Sequence, residues 1–174
     1  MPDFKKKFSR IFDQHINKIY RFVYLKVNSQ EIAQDITSEV FLRGWQAFKK
    51  AYNPCPMPQN KIKNISAFLY QIARNLVIDH YREKQKKQTV SIENMEIVDP
   101  GIGLEEKAAI DSDIEQIRKG LLRLKQDYQD VIIWHYLDDL SVSEIAKILN
   151  KPETTVRVMI HRGLKHLRAL IQTE

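Results

Sequence analysis

Apolar side chains recur every three or four positions along most of the chain, which is the spacing of amphipathic α-helices. The chain holds only 5 glycines and 6 prolines, too few for the many turns of an all-β protein. We therefore predict an all-α fold. The expected helices cover residues 4–26, 28–50, 65–86 and 105–124, followed by one that opens at Gln126-Asp127, a short one that starts at Ser141, and a last one over 152–171. We expect the second to begin at Asn28 or Ser29.

Two segments interrupt this helical pattern. The first is the loop 49–64, where Pro54, Pro56 and Pro58 at alternate positions exclude a helix. The second spans 88–108 and is rich in polar and acidic residues, with a turn signal at 99–101. The interruptions predict two small helical domains, 1–87 and 109–174, joined by a flexible acidic linker at 88–108.

Charge is distributed unevenly between these three parts. The whole chain carries a formal net charge of +6. Residues 1–87 carry 17 Lys and Arg against 7 Asp and Glu, whereas residues 88–115 carry 1 against 8. Residues 116–174 are basic again, with 10 against 7. Two basic domains favour binding to a polyanion such as DNA. Solvated helix faces are the alternative reading of the same charges.

The C-terminal end carries a helix-turn-helix pattern. Ser141 and Glu144 form a capping-box sequence at the start of a short helix, and a tight turn at 150–153 precedes a longer one. We place Pro152 at the first position of that last helix. Its exposed face is predicted to present hydroxyl, methyl, imidazole and cationic groups to a DNA major groove. These candidate residues are Thr154, Thr155, Arg157, Val158, His161, Arg162 and Lys165. An ordinary helical hairpin without DNA binding is the alternative.

Two groups of motifs together resemble a known family. The first group is 33–45 (AQDITSEVFLRGW), followed by 68–75 (FLYQIARN) and 79–82 (DHYR). The second is 140–170, which includes Thr155-Val156-Arg157 and His161-Arg162. In this order and in a chain this short, they resemble the extracytoplasmic-function (ECF) group of bacterial RNA polymerase sigma factors.

The resemblance implies roles for both domains. The first would bind core RNA polymerase and help to melt the −10 promoter element, and the second would bind the −35 element. By likeness, the polymerase contacts are Asp35, Glu39, Phe41 and Arg43. The candidate −10 contacts are Lys61, Lys63, Arg74, Asn75 and Arg82. Family members are often restrained by an anti-sigma factor that clamps the two domains together, and the sequence leaves open whether this chain has such a partner.

The chain also departs from the family pattern. The loop between Phe48 and Phe68 is longer and richer in proline, and Phe68 stands where Trp is common. Val158-Met159 stand where a Ser-Arg pair is frequent, which predicts a weaker phosphate grip on the −35 element. Trp45, Phe48 and Phe68 are expected to be core residues rather than base-stacking ones.

Other classes of function find little support in the sequence. We see no phosphate-binding loop, zinc-protease motif or nucleophile elbow, so we expect no enzyme activity, catalytic residue, metal or cofactor. The lone Cys55 excludes an internal disulfide. Apolar runs are too short for membrane insertion, and we expect a cytoplasmic protein. The remaining alternatives are a stand-alone helix-turn-helix transcriptional regulator and a helical protein-interaction module.

Overall fold

The structure is a computed structural model that describes residues 2–52, 62–90 and 108–172. Its helices are α1 (Pro2–Val27), α2 (Gln30–Tyr52), α3 (Ile65–Val90), α4 (Ala108–Arg123), α5 (Gln126–Ile132), α6 (Val142–Leu149) and α7 (Glu153–Gln172). A five-residue π-helical segment, Ile133–Leu137, continues α5. The described residues contain no strand, which agrees with the all-α prediction. No helix among them is long and apolar enough to cross a membrane.

Helices α1, α2 and α3 pack pairwise into an N-terminal bundle. Its core includes Phe22, Val40 and Leu69, each with no exposed surface. Near the start of α1, Phe8 lies edge-on to Trp45 with ring centroids 5.1 Å apart. Phe48 is buried as expected, whereas Trp45 and Phe68 are only partly buried. The apolar stripes seen in the sequence therefore form the interior of this bundle.

Helices α4 to α7 form the C-terminal group, in which α7 packs against α4, α5 and α6. The close approach of α5 and α7 depends on Gly163. A β-carbon there would stand 3.3 Å from Ile132 Cγ1 and 3.3 Å from Tyr128 Cβ. Val156, Ile160 and Leu167 complete the buried side of α7, as their spacing predicted.

Helix boundaries differ from the predicted ones at two caps. Asn28 adopts a left-handed φ of 50° and ends α1, with its N–H donating to the Tyr24 carbonyl. Ser29, the other candidate, caps α2 by accepting a 3.4 Å hydrogen bond from the Ile32 N–H. Pro152 precedes α7 rather than opening it, and its carbonyl accepts from the Val156 N–H.

The predicted linker lies mostly outside the described residues. Helix α3 continues to Val90, three residues into the range assigned to the linker, and α4 begins at Ala108. Residues 91–107 and most of the proline-rich loop, including Cys55 and Lys61, are not among those described.

The two helix groups share one continuous core. Trp134, fully buried in the π-helical segment, packs on Phe22 of α1 at 5.3 Å and on Tyr70 of α3 at 5.8 Å. Helix α3 also contacts α6. The C-terminal group is thus docked against the α1–α3 side of the N-terminal bundle, an arrangement that the sequence pattern did not predict.

Candidate DNA and polymerase interfaces

Helices α6 and α7 form the predicted helix-turn-helix. Ser141 and Glu144 make the complete capping box: the Glu144 N–H donates to Ser141 Oγ at 3.2 Å, and the Ser141 N–H donates to Glu144 Oε2 at 2.8 Å. These hydrogen bonds hold the pKa of Glu144 below its usual range. Asn150, with φ of 52°, makes the sharp turn after α6. Local sequence therefore fixes both the start of α6 and the turn into α7.

The outer face of α7 carries the predicted −35 residues. All of them are exposed: Thr154, Thr155, Arg157, Val158, His161, Arg162 and Lys165. Val158 is 47% exposed at the centre of this face. Arg157 pairs with Glu153 one turn earlier, at 3.2 Å. This surface combines cationic, hydroxyl and methyl groups, which is what major-groove contact requires.

Met159 does not belong to that face. It is 9% exposed and packs in the core beneath α7. The sequence hypothesis treated Met159 as a position with a missing phosphate contact. The structure contradicts this, because an arginine at position 159 would start from the buried side of the helix. Of that pair, Val158 alone lies on the exposed face of α7.

Helix α2 presents most of the predicted polymerase residues. Asp35 is exposed, and Glu39 and Arg43 form a 2.6 Å ion pair on the same side. Phe41, however, is only 5% exposed and lies 4.7 Å from the Phe12 ring. In this structure the Phe41 side chain therefore supports the helix from within, and its contact with polymerase stays a prediction.

Sequence reasoning missed Leu42, which follows Phe41 and is 50% exposed. Leu42 adds one apolar side chain to the exposed, charged face of α2. The available signal was its position outside the apolar stripe of α2.

The predicted −10 residues are divided among three environments. Asn75 and Arg82 are exposed on α3, and Arg82 forms a loose 3.8 Å pair with Asp79. Lys63 is exposed beside a cavity of about 680 Å³ between α1, α2 and the start of α3. Three cations and several apolar side chains line this cavity: Lys7, Arg10, Lys63, Ile11, Phe48, Ile62 and Ile65.

Arg74 faces the C-terminal group instead of solvent. Its Nε donates to Asp130 Oδ2 at 2.7 Å, and its Nη2 donates to Asp127 Oδ1 at 2.6 Å. Lys26 of α1 also donates to Asp130. We call Lys26, Arg74, Asp127 and Asp130 the interdomain charge cluster. Within it, Arg74 is not available to DNA.

The centre of the interdomain charge cluster is excluded from water. Lys26 is 1% exposed and Asp130 is fully buried. Burial lowers the pKa of Lys26, and the nearby Asp130 carboxylate opposes that shift. The pair is thus held by mutual attraction in a site that penalises either charge alone.

A second set of polar contacts surrounds Asp138. Its carboxylate accepts from Arg21 Nη2 at 2.6 Å and from the Tyr70 hydroxyl at 3.0 Å, and its carbonyl accepts from Lys18 Nζ at 3.0 Å. We call Asp138, Lys18, Arg21 and Tyr70 the Asp138 cluster. Burial raises the pKa of Asp138, with the hydrogen bond from Arg21 as the main opposing cause.

Sequence reasoning did not find either cluster. The one visible signal was acidic residues beside apolar runs, such as Asp130 before Val131. Their partners lie 53 to 120 positions earlier in the chain, and no local pattern joins them.

Comparison with known proteins matches two separate segments of the chain, and these follow the two helix groups. Residues 11–87 match the family described as Sigma-70 region 2, and residues 114–167 match Sigma-70, region 4. The ECF RNA polymerase sigma factor SigW of Bacillus subtilis is 33% identical over 171 residues, covering 92% of this chain and 87% of SigW. The chain belongs to the ECF sigma factors. The two docked helix groups therefore correspond to sigma regions 2 and 4.

Other ECF sigma factors and sigma-factor structures agree. SigM of Bacillus subtilis is 26% identical over 166 residues, covering 92% of each chain. The structure of the sigma factor RpoE with the anti-sigma factor NepR, from Bartonella quintana, matches 97% of this chain and 99% of that chain. The TM-score is 0.71 at 18% identity. CnrH, solved with the cytosolic domain of CnrY, matches with a TM-score of 0.66 at 17% identity, covering 98% of this chain and 90% of that chain. These structures share the fold.

Proposed function

We propose that this ECF sigma factor binds core RNA polymerase and directs it to promoters by recognising a −35 element and opening a −10 element. The observation that carries the proposal is the pairing of two regions in one chain. A region 2 bundle presents a polar α2 face, and a region 4 unit presents a cationic recognition helix. A protein with this proposed function acts in the cytoplasm.

The −35 role is assigned to the outer face of α7. Arg162 and Lys165 supply positive charge for phosphate, while Val158 and Thr154 offer methyl and hydroxyl groups to base edges. The amides at the start of α7 add donors for a phosphate oxygen.

The −10 role is assigned to the start and middle of α3. Bases that leave the stack need a pocket and cationic support, because unstacking costs a few kcal/mol per base. Lys63 beside the cavity, with Asn75 and Arg82 along the helix, supplies such groups. Lys61 is kept in this set on the resemblance alone.

The polymerase role is assigned to α2, with Asp35, Glu39, Arg43 and the exposed Leu42. An acidic helix face with one apolar side chain suits a partner surface that is basic at its rim. Residues 88–108 are proposed as the segment between the domains. Because RpoE and CnrH were solved with protein partners, an anti-sigma factor is proposed as a further partner.

The deciding experiment mixes the purified protein with sigma-free bacterial core polymerase and a random promoter library. Sequenced transcript starts are expected to cluster downstream of a two-part motif. A matched reaction contains Asp35→Ala with Glu39→Ala, which is expected to lose polymerase co-elution. If no specific starts appear and the unaltered protein does not co-elute with polymerase, the stand-alone regulator replaces this proposal.

A further inference from the structure

The cavity between α1, α2 and the start of α3 gathers positive charge. Lys7 and Arg10 of α1 and Lys63, two residues before α3, line its volume of about 680 Å³. No carboxylate lines it among the described residues. Arg10 and Lys63 are exposed and form no ion pair within the part of the chain that the structure describes. Because like charges gathered in one place repel each other, this cationic rim favours an anion.

The rest of the described cavity wall is apolar. It consists of Ile11 of α1, Phe48 and Ala51 of α2, and Ile62 and Ile65 at the entry to α3. Small-molecule sites commonly have volumes of roughly 300–1,000 Å³ and combine an apolar wall with a few placed polar groups. The cavity has this size and this composition, and its wall favours a hydrocarbon group over water.

The wall suits a hydrocarbon chain better than a nucleobase. Among the described lining residues, none has a hydroxyl, amide or carboxylate side chain. A buried base edge needs such partners, since unpaired donors and acceptors are costly to bury. Asn75 and Arg82, which are proposed for the −10 element, do not line the cavity. The proposed −10 role of Lys63 therefore places the base outside it.

We propose that this cavity binds an amphiphilic anion, a single-chain carboxylate of the fatty-acid class. The carboxylate lies between Arg10 and Lys63, where Lys7 adds further positive charge, and the methylene chain lies against the aliphatic wall. The site goes beyond the proposed function. Apart from Lys63, none of its residues belongs to the proposed promoter or polymerase surfaces.

Both parts of the ligand are needed for binding. The cations of the rim are exposed, so water and salt weaken their attraction for a head group alone. Each methylene that moves from water to the apolar wall strengthens binding by about fourfold. Affinity should therefore rise with chain length and depend on the sign of the head-group charge.

The test titrates the full chain with sodium dodecanoate, below its micelle concentration, in a calorimeter. We expect saturable binding of one dodecanoate per chain. Decanoate and octanoate should bind more weakly, by up to about fourfold for each methylene removed. Acetate lacks the chain, and dodecyltrimethylammonium has the same chain with the opposite charge. Neither should bind measurably.

Substitutions at the cavity test its two parts separately. Arg10→Gln and Lys63→Gln are each expected to weaken dodecanoate binding by about threefold, because each removes one partly solvated cation. Ala51→Phe places a ring in the cavity and should abolish measurable binding. Lys50→Gln is the matched control, since Lys50 is exposed at the same end of α2 but does not line the cavity. If circular dichroism shows that Ala51→Phe loses its helices, the two exposed cations decide.

Each outcome decides the inference. Absence of saturable dodecanoate binding would overturn it, as would equal binding of dodecyltrimethylammonium or unchanged affinity in both Arg10→Gln and Lys63→Gln. Flotation with phosphatidylglycerol vesicles tests a membrane surface as the alternative. Vesicle binding without a one-to-one dodecanoate complex would replace the cavity site by the basic end of α1. Because neither experiment needs polymerase or promoter, the ligand site can fail while promoter-specific transcription succeeds, and the reverse.

Discussion

Neighbouring residues on α2 have opposite environments. Phe41 packs against Phe12 in the interior, while Leu42 is half exposed beside the Glu39–Arg43 pair. The family motif includes both residues, but it does not show which side chain is exposed to a partner and which packs in the interior. At the scale of single residues, the structure therefore separates effects on stability from effects on binding.

Phe41→Ala is expected to lower the free energy of unfolding by about 3–5 kcal/mol, because it leaves a cavity in the region 2 core. Leu42→Ala, at a half-exposed site, should change it by less than about 1 kcal/mol and instead weaken co-elution with polymerase. Urea denaturation and size-exclusion co-elution separate the two effects. A stable Phe41→Ala protein that fails to bind polymerase would restore the direct contact that burial argues against.

His15 supplies a second prediction at this scale. Burial lowers the pKa of His15, the charge of Lys18 lowers it further, and Glu144 opposes both. The folded chain therefore disfavours the imidazolium, while the unfolded chain takes up a proton near the ordinary pKa of about 6.5. Below that pH the unfolded state binds more protons, so the free energy of unfolding falls as pH is lowered.

The test compares the starting protein with His15→Gln by urea denaturation between about pH 8 and about pH 5.5. The starting protein should lose more stability over this range than His15→Gln, since the variant lacks the titrating group. Contributions from Asp138 and other carboxyl groups are common to both proteins and cancel in the difference. Parallel curves would show that His15 is as easily protonated in the folded chain as in the unfolded one.

At the scale of helices, one side of α7 packs in the core and the other faces solvent. The side with Val156, Ile160 and Leu167 is buried, and the other side is cationic and exposed. This division was predicted from apolar periodicity, and the capping box from the spacing of Ser141 and Glu144. Met159 was misassigned because family position rather than wheel position placed it on the groove side, whereas its burial follows from packing against the rest of region 4.

Arg162→Ala and Lys165→Ala are each expected to weaken binding to a −35 duplex. A residue that contacts phosphate should reduce the slope of log affinity against log salt by about one, whereas a base contact should change sequence preference. Filter binding or anisotropy over a salt series measures both. Lys119→Ala, at an exposed position of α4 outside the helix-turn-helix, is a control of equal charge. Unchanged affinity and slope in both α7 variants would remove this face from the −35 interface.

Gly163→Leu is expected to force α7 away from α5, since even a β-carbon meets Ile132 and Tyr128 at 3.3 Å. Overpacking of this kind costs about 1–3 kcal/mol of stability. Ala169→Leu, at an exposed position of the same helix, should have little effect. Thermal denaturation compares the two variants. Equal melting temperatures would mean that the α5–α7 contact adapts without loss.

At the scale of the whole molecule, the two basic domains and the acidic segment between them were visible in the sequence, but their docking was not. Lys26 and Asp130 are 104 positions apart, and Arg21 and Asp138 are 117 apart. From the charge pattern alone, each of these four charged side chains is expected at a water-exposed surface. Only the three-dimensional contact shows that Asp130 and Asp138 are buried beside cations of the other domain.

Docking predicts a single unfolding transition for the starting protein, because the two regions share one core. In a Trp45→Phe background, Trp134 is the single tryptophan. In Asp130→Asn the regions should separate first, so that Trp134 fluorescence changes at a lower urea concentration than helical circular dichroism. The starting protein and the control Glu115→Gln, which breaks an ion pair inside α4, should each show the same midpoint by both probes. Coincident midpoints in Asp130→Asn as well would mean that the shared core, rather than the charges, holds the regions together.

The π-helical segment Ile133–Leu137 continues α5 and carries a contact to region 2 of its own. Just before it, Asp130 faces region 2, and within it Trp134 packs on Phe22 and Tyr70. The Leu140 N–H donates to the Trp134 carbonyl at 2.8 Å, so the chain leaves the segment with one wide turn. Since each residue of a regular helix adds about 100° of rotation, losing Ile133 would turn the Trp134 side chain about a quarter of a circle relative to Asp130. Trp134 would then point away from Phe22 and Tyr70 while Asp130 still faces Arg74. The segment thus acts as a spacer that keeps the acidic and the aromatic contact of region 4 on the same side.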